Sequence, residues 1–226
     1  MKKTLIISEI GVNHSGSMAT AYKQIELSKG AGCDIAKFQY YEAEKLLGKK
    51  HPAFAYAKSC HLTKPELESL KTYCDTIGIE FLVSVFDIQD LAWAITLCKR
   101  IKVATRMNNN RAFLAECRKL GKPLLISTEA PYSTCKDDEI YMYCVPKYPT
   151  ELKDINLPFL ATCEGFSTHC PDISPALYAV SRNCKVVEAH TTISRDQEGC
   201  DQSSSWTYEE MKQFVSIIRK WESLQA

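Results

Sequence analysis

The 226-residue chain has no apolar run near the roughly 20 residues that cross a bilayer, so nothing in it reads as a membrane span. Its opening, MKKTLIISEIG, has two lysines, but Ser8 and Glu9 break the apolar run too soon for a signal-peptide core. It also has almost no net charge. The 28 Lys and Arg against 27 Asp and Glu leave +1, which gives no electrostatic case for nucleic acid or an anionic membrane as partner. Small anionic substrates stay open through local sites. No GxGxxG and no phosphate loop follows the first apolar run, which removes the usual support for an open doubly wound sheet. Low-complexity segments and linkers are absent too. Cysteine is abundant at eleven residues, yet the number is odd and no CxxC occurs, so the reading is a reducing cytoplasm and mostly buried free thiols.

What is there is alternation. Eight β-rich runs are spaced along the chain: TLIISEIG, DIAKFQYY, IEFLVSVF, RIKVAT, KPLLIST, IYMYCV, EGFSTH and KVVEAHTTI. Between them lie amphipathic stretches, MATAYKQIELSKGAG, TKPELESLKTYCDTIG, IQDLAWAITLCKR, NNRAFLAECRKLG, SPALYAVSRNC and YEEMKQFVSIIRKWESL, several ending on Gly or Asn as helix C-caps do. The fifth and sixth helical positions are poor: the segment after LLISTEAP is too short, and the one around DINLPFLATC is weak. Eight strand–helix repeats without a composition break predict an α/β fold, a (β/α)8 TIM barrel formed as a single domain over 1–226.

Active sites of that fold lie at the C-terminal ends of the strands. Nearly every strand here ends in polar residues: Glu9 with Asn13 and His14; Lys37 and Gln39; Ser84 and Asp87; Lys102 and Thr105; Ser127 and Thr128; Lys147 and Tyr148; Ser167 and His169; Glu188 and His190. Singly, each has an ordinary structural explanation, such as a helix cap or a turn. A closing barrel makes them neighbours around one pocket. His169 and His190 end consecutive strands, a pairing that suits a divalent transition metal such as Mn²⁺, Fe²⁺ or Zn²⁺ with water in the remaining positions. Glu188, two residues before His190, shares its face of the strand. The lysines and hydroxyls are what a phosphate plus a carboxylate asks for.

Taken as an ordered set, SEIGVNHSGS at 8–17, AKFQ at 36–39, GIEFLVSVFD at 78–87, KVAT at 102–105, LLIST at 124–128, CVPKYPTELKDINL at 144–157, GFSTH at 165–169 and VVEAHTTISRDQEGCDQSSS at 186–205 resemble the sialic acid synthase family. Those enzymes condense phosphoenolpyruvate with N-acetylmannosamine or a related amino sugar, releasing phosphate and forming a nonulosonic 2-keto acid. The resemblance implies a TIM barrel and a divalent metal on His169 and His190, typically Mn²⁺, with Mg²⁺ or Co²⁺ as alternatives. It implies phosphoenolpyruvate contacts at Lys37, Ser84, Lys102, Thr105, Ser127, Asn156 and Ser167. Gln39, Tyr148 and Asp201 fall on the sugar side, where Glu188 is also expected as a pocket acid. Glu9 matches an acidic residue beside the reacting carbons, completing a catalytic set with His169 and His190. Phosphoenolpyruvate and an aldose are the implied small-molecule partners, and a homodimer is left open.

The chain also departs from the pattern. Where the family continues its Lys-x-x-Ser motif with Gly-Glu, KVATRMNNN has Thr105, Arg106 and Met107, so a sugar-binding glutamate is lost and a cation enters. Ser-Asp-His becomes Ser167-Thr168-His169, and Pro-Gly-Pro-Asp-His becomes EGCDQ. Typical members continue into an antifreeze-like domain that lends an arginine to the partner's sugar site. That domain is expected to be missing here, with Arg106 as the residue to replace its cation. Two other readings stay open: an aldolase or lyase using Lys37 or Lys102 as a Schiff base, and a non-catalytic relative that binds a sugar or phosphorylated ligand.

Overall fold

A computed structural model describes residues 3–130 and 138–224. Eight parallel strands form the frame: β1 Leu5–Gly11, β2 Ile35–Tyr40, β3 Glu80–Val85, β4 Ile101–Val103, β5 Leu124–Thr128, β6 Glu139–Tyr143, β7 Gly165–Thr168 and β8 Val186–Thr192. The longer helices are α1 Met18–Gly30, α4 Lys64–Ile77, α5 Ile88–Leu97, α6 Arg111–Lys119, α8 Ser174–Ser181 and α9 Tyr208–Ser223. The strands pair in the order β3-β2-β1-β8-β7-β6-β5-β4. Both faces of such a sheet are covered, so the strands are apolar almost throughout and β5 and β8 are buried at every position.

The last seam, between β3 and β4, is closed by side chains. Arg100 donates Nε and Nη2 to the two carboxylate oxygens of Glu80 at 2.7 and 3.0 Å, and the Ser84 hydroxyl donates to the Lys102 carbonyl at 3.3 Å. The barrel of the sequence reading is therefore the barrel of the structure. Its first and last strands are joined by register, with Glu9 opposite Lys37 on one side and His190 on the other. Outside the barrel the Ser8 hydroxyl meets Ser28 of α1 and Thr191 of β8, each at 2.7 Å.

Helix starts follow their sequence signals. Thr63 with Glu66 and Thr207 with Glu210 form capping boxes at the heads of α4 and α9, and Gly78 ends α4 in a left-handed conformation. Three features differ from the expectation. The weak helix around DINLPFLATC shrinks to one turn, α7 Leu157–Leu160. The loop after β2 carries two short helices, α2 Ala43–Leu46 and α3 Phe54–Ser59, which close a second apolar cluster of Val12, Tyr41, Ala43, Ala57 and Cys60. Neither is long enough to show a helical period. A short strand, β9 Trp206–Thr207, pairs with the end of β8. The stretch from 131 to 137, which holds most of the short segment after LLISTEAP, lies outside the described residues. Among the described residues no helix is long and apolar enough to cross a membrane.

The β2 excursion sits tightly on the loop after β1. Gly16 has φ +75°, and a methyl there would stand 2.3 Å from the Ser59 carbonyl oxygen. Gly16→Ala must therefore strain its own backbone and push the excursion off. We expect it to lower unfolding stability by about 2–4 kcal/mol in urea denaturation, whereas Gly48→Ala, where an added methyl meets nothing, stays within about 0.5 kcal/mol.

Candidate active site

Alternation along each strand sends one set of side chains into the barrel. At its C-terminal end these are mostly charged. Lys37 Nζ lies 2.7 Å from Glu9 Oε2 and 3.4 Å from Glu188 Oε2. Lys102 Nζ lies 3.4 Å from Glu188 Oε1 and donates to the Ser127 hydroxyl at 2.7 Å. The Ser167 hydroxyl donates to Glu188 Oε1 at 2.9 Å, and Gln39 Nε2 donates to Glu9 Oε1 at 2.6 Å. Six strands, β1, β2, β4, β5, β7 and β8, thus contribute to one buried ionic network. Gly11 leaves room for it. Its φ is +54°, and a methyl there would come within 3.3 Å of Glu9 Oε1 and 3.6 Å of His190 Cε1.

The network is electrostatically uneven. Burial raises the Glu9 carboxyl above its ordinary range despite the opposing pull of Lys37. Burial likewise lowers Lys102. At Glu188 burial acts upward, but Lys102, Lys37 and the Ser167 hydroxyl outweigh it and bring the carboxyl down to about 2. Lys37 is raised: its burial is overcome by Glu188 and Glu9. Lys37 and Glu188 are therefore the fixed charges, while Glu9 and Lys102 sit closer to their neutral forms.

Above this network stand two imidazoles. The rings of His169 and His190 are 5.3 Å apart, centre to centre. Nδ1–H of His169 donates to the Val145 carbonyl at 2.8 Å, which leaves Nε2 as its lone-pair nitrogen. His190 Nδ1 is buried without a hydrogen-bond partner, and Asp201 Oδ2 lies 3.5 Å from it. Burial lowers both rings, His190 to about 4, so both are neutral at pH 7. Tyr148 stacks on His169 at 3.9 Å and presents itself edge-on to His190 at 5.8 Å. An orphaned ring nitrogen beside a neutral, backbone-anchored imidazole fits a divalent metal. Among the described residues no group of three His, Cys, Asp or Glu is gathered for one, so further ligands would come from water or substrate.

Of the residues expected at the site, Glu9, Lys37, Gln39, Ser84, Lys102, Ser127, Ser167, His169, Glu188 and His190 converge in the barrel, with Tyr148 and Asp201 beside the two histidines. Glu188, expected on the sugar side, lies among the lysines. Thr105 begins a 3-10 turn over 105–107 just beyond β4. Asn156 is not brought in: it is exposed, and its side chain accepts from Phe159 N as the N-cap of α7. Lys147 points outward to Glu151 and Asp154. Asp87 caps α5, and Asn13 ties the loop after β1 to the Thr191 carbonyl and the Ser205 hydroxyl. Arg106 is exposed and lines a side cavity.

Sequence reasoning missed Cys144. Its sulfur is buried 4.0 Å from both ring nitrogens of His169, with Thr105 and Ser167 beside it. The signal was its place just beyond the sixth strand, as the first residue of CVPKYP, masked by ten other cysteines.

A closed parallel barrel whose C-terminal mouth holds paired imidazoles over a buried lysine–carboxylate network is a TIM-barrel enzyme with one polar small-molecule site. The chain belongs to the NeuB family, whose model matches residues 24–226. It is similar to an uncharacterised protein of Methanocaldococcus jannaschii, 30% identical over 98% of this chain and 72% of that one. It is also similar to the N,N'-diacetyllegionaminic acid synthase of Legionella pneumophila, 28% identical over 97% and 72%. Among solved structures, the N-acetylneuraminic acid synthetase of Leptospira borgpetersenii, in complex with citrate, superposes with a TM-score of 0.91 at 24% identity, covering 100% of this chain and 86% of its own.

Removing Glu188 would leave Lys37 and Lys102 without their shared counterion. We expect Glu188→Ala to destabilise the protein by about 3–5 kcal/mol, and Lys102→Met to recover part of that loss in the double variant. A urea double-mutant cycle reads the coupling; additive effects would mean that the pair is not energetically linked.

Proposed function

We propose that the protein condenses phosphoenolpyruvate with the open-chain form of an amino aldose, releasing phosphate and forming a sialic-acid-like 2-keto sugar acid. The observation that carries this reading is the two-cation, multi-hydroxyl floor directly beneath a pair of neutral imidazoles. Membership of a family whose named members include nonulosonic acid synthases supports it.

In this reading a bond forms between C3 of phosphoenolpyruvate and the aldehyde carbon, whose oxygen gains a proton. Water then adds at C2, and the C2–O bond to phosphate breaks. Lys37 and Lys102, with Ser127 and Ser167, hold the phosphate and carboxylate oxygens, exchanging their ion pairs with Glu188 and Glu9 for substrate oxyanions. Glu9, raised toward protonation and 2.7 Å from Lys37, moves protons near the reacting carbons. A divalent metal held by His169 and His190 would supply Lewis-acid polarisation of the aldehyde oxygen. The barrel wall keeps bulk water from the reacting carbons.

The test is phosphate release from phosphoenolpyruvate with Mn²⁺ and a panel of aldoses that includes N-acetylmannosamine. Release that falls at least about a hundredfold on EDTA treatment and in His190→Ala is the expected result. No release with any aldose overturns the proposal. Borohydride trapping of pyruvate on a lysine would instead assign the barrel to Schiff-base chemistry.

A further inference from the structure

The ten described cysteines are free, and two of them stand opposite each other. Cys163 lies two residues before Gly165, the first residue of β7, and Cys184 lies two residues before Val186, the first of β8. Gly165 and Val186 are paired across the two strands. The pairing continues one step below them: Lys185 N donates to the Glu164 carbonyl at 2.7 Å, and the Lys185 ammonium meets the Glu164 carboxylate. One further step puts Cys163 level with Cys184. Neighbouring strands run about 4.8 Å apart, inside the range of Cα separations that a disulfide spans. The two sulfurs are hydrogen-bonded to each other.

The pair is chemically unequal. Cys163 is half-buried, while Cys184 is only 2% exposed. The hydrogen bond from Cys184 holds the Cys163 thiol below its ordinary range, against burial, with help from backbone hydrogen bonds at Tyr143 and at Cys163 itself. The same bond, followed by burial, raises Cys184 well above that range. Every other cysteine among the described residues is raised by burial. Cys163 is therefore the thiol that ionises first, and it does so where solvent reaches it and a second thiol is in contact with it. An accessible thiolate next to a resolving thiol is the arrangement that oxidants select.

We propose that Cys163 and Cys184 form a peroxide-responsive dithiol site, which closes to a disulfide that staples β7 to β8 at the N-terminal end of the barrel. The Cys163 thiolate attacks a hydroperoxide oxygen: an S–O bond forms, the O–O bond breaks, and the other oxygen leaves with a proton as water or an alcohol. Cys163 is then a sulfenic acid, and the negative charge that kept the Cys184 proton in place is gone. The Cys184 sulfur attacks the Cys163 sulfur; the S–S bond forms, the S–O bond breaks, and hydroxide leaves with the Cys184 proton as water. Two electrons pass from the sulfurs to the peroxide, and a small-molecule thiol returns them. Each cysteine precedes a site histidine, His169 or His190, by six residues. The staple therefore lies about 20 Å from the imidazoles on the same two strands, and fixes their alignment without touching the site. The dithiol does not depend on the condensation reading.

Peptide mapping of the wild-type protein, treated with stoichiometric hydrogen peroxide and then alkylated with N-ethylmaleimide, tests the site directly. Trypsin is expected to release Asn183–Lys185 joined through Cys184 to the peptide that carries Cys163, with fragmentation placing the bond on Cys163 rather than on Cys170, and dithiothreitol is expected to part the two. Recovery of both peptides fully alkylated, or oxidation of the exposed Cys200 ahead of Cys163, overturns the proposal. In Cys184→Ser the resolving sulfur is missing, so Cys163 stops at the sulfenic acid and reacts with dimedone at least about tenfold faster than Cys200 does. Equal labelling of the two overturns the role of Cys163 as the attacking thiol. The mapping needs no variant, so poor folding of Cys184→Ser leaves it intact. The oxidised wild type is expected to melt about 5 °C or more above the reduced form, because a cross-link closing a loop of about 20 residues restricts the unfolded chain; an equal or lower melting temperature overturns the staple.

Discussion

Four charged side chains, Glu9, Lys37, Lys102 and Glu188, are enclosed in one barrel, none more than 4% exposed. Each ion removed from water costs several kcal/mol, so such a group persists only when its partners are held at contact distance from several directions. Six strands provide that hold. The dependence also runs the other way: a slip of one residue in β1, β2, β4 or β8 would turn its charge outward onto the apolar faces of the helices. The network therefore selects the register that builds it, and the cross-strand pairings of Glu9 with Lys37 and His190 follow from the same constraint.

The uneven electrostatics of this network matter to the chemistry. With Lys37 and Glu188 firmly charged and Glu9 and Lys102 pushed toward neutrality, the floor is close to self-neutralised. In the proposed condensation an incoming phosphate and carboxylate would bring negative charge into a site whose cations are already engaged. Binding them requires the lysines to exchange carboxylate partners for substrate oxygens, and the displaced carboxyl easiest to neutralise is Glu9. Glu9, raised by burial where Glu188 is lowered, is thus the carboxyl of the network that takes up a proton more readily. Preorganised cations that need only change partners do not have to be assembled during the reaction, which is how a buried polar site lowers a barrier.

Much of this was legible in the sequence because parallel strands in a barrel read as near-continuous apolar runs, and a polar residue closing such a run stands out. That rule found the lysines, Glu9, Ser127, Ser167 and both histidines. It does not separate residues at the end of a strand from those a few positions later, where the chain turns away. Lys147 lies in such a loop and makes an outward ion pair, and Asn156, which only the resemblance pointed to, lies further along it as a helix cap. Glu188 was identified as facing inward, yet its partners come from β2, β4 and β7, and no local pattern announces them. The excursion over 41–63 was invisible because its helices are four and six residues long and derive their stability from a shared cluster with Val12 and Phe86 rather than from periodicity.

That excursion also packs against a loop that departs from the family pattern. Tyr56 of α3 donates its hydroxyl to the Glu198 carbonyl at 3.2 Å, reaching the loop between β8 and β9. In that loop a methyl on Gly199 would meet the Tyr56 hydroxyl at 2.7 Å and Gln202 Cγ at 2.9 Å, so the chain is packed there to its backbone. Gln202, which replaces the histidine of the family pattern, is buried and accepts from Thr192 at the end of β8. Asp201, its neighbour, faces His190. The same excursion supplies Tyr41, Glu42 and Lys45 to the side cavity that Arg106 lines. The EGCDQ loop is therefore packed against the excursion through Tyr56, the TRM turn shares a cavity wall with it, and the third departure, Thr168, ends β7. The excursion and the loop after β8 thus form one packed body at the rim of the barrel that holds the ionic network.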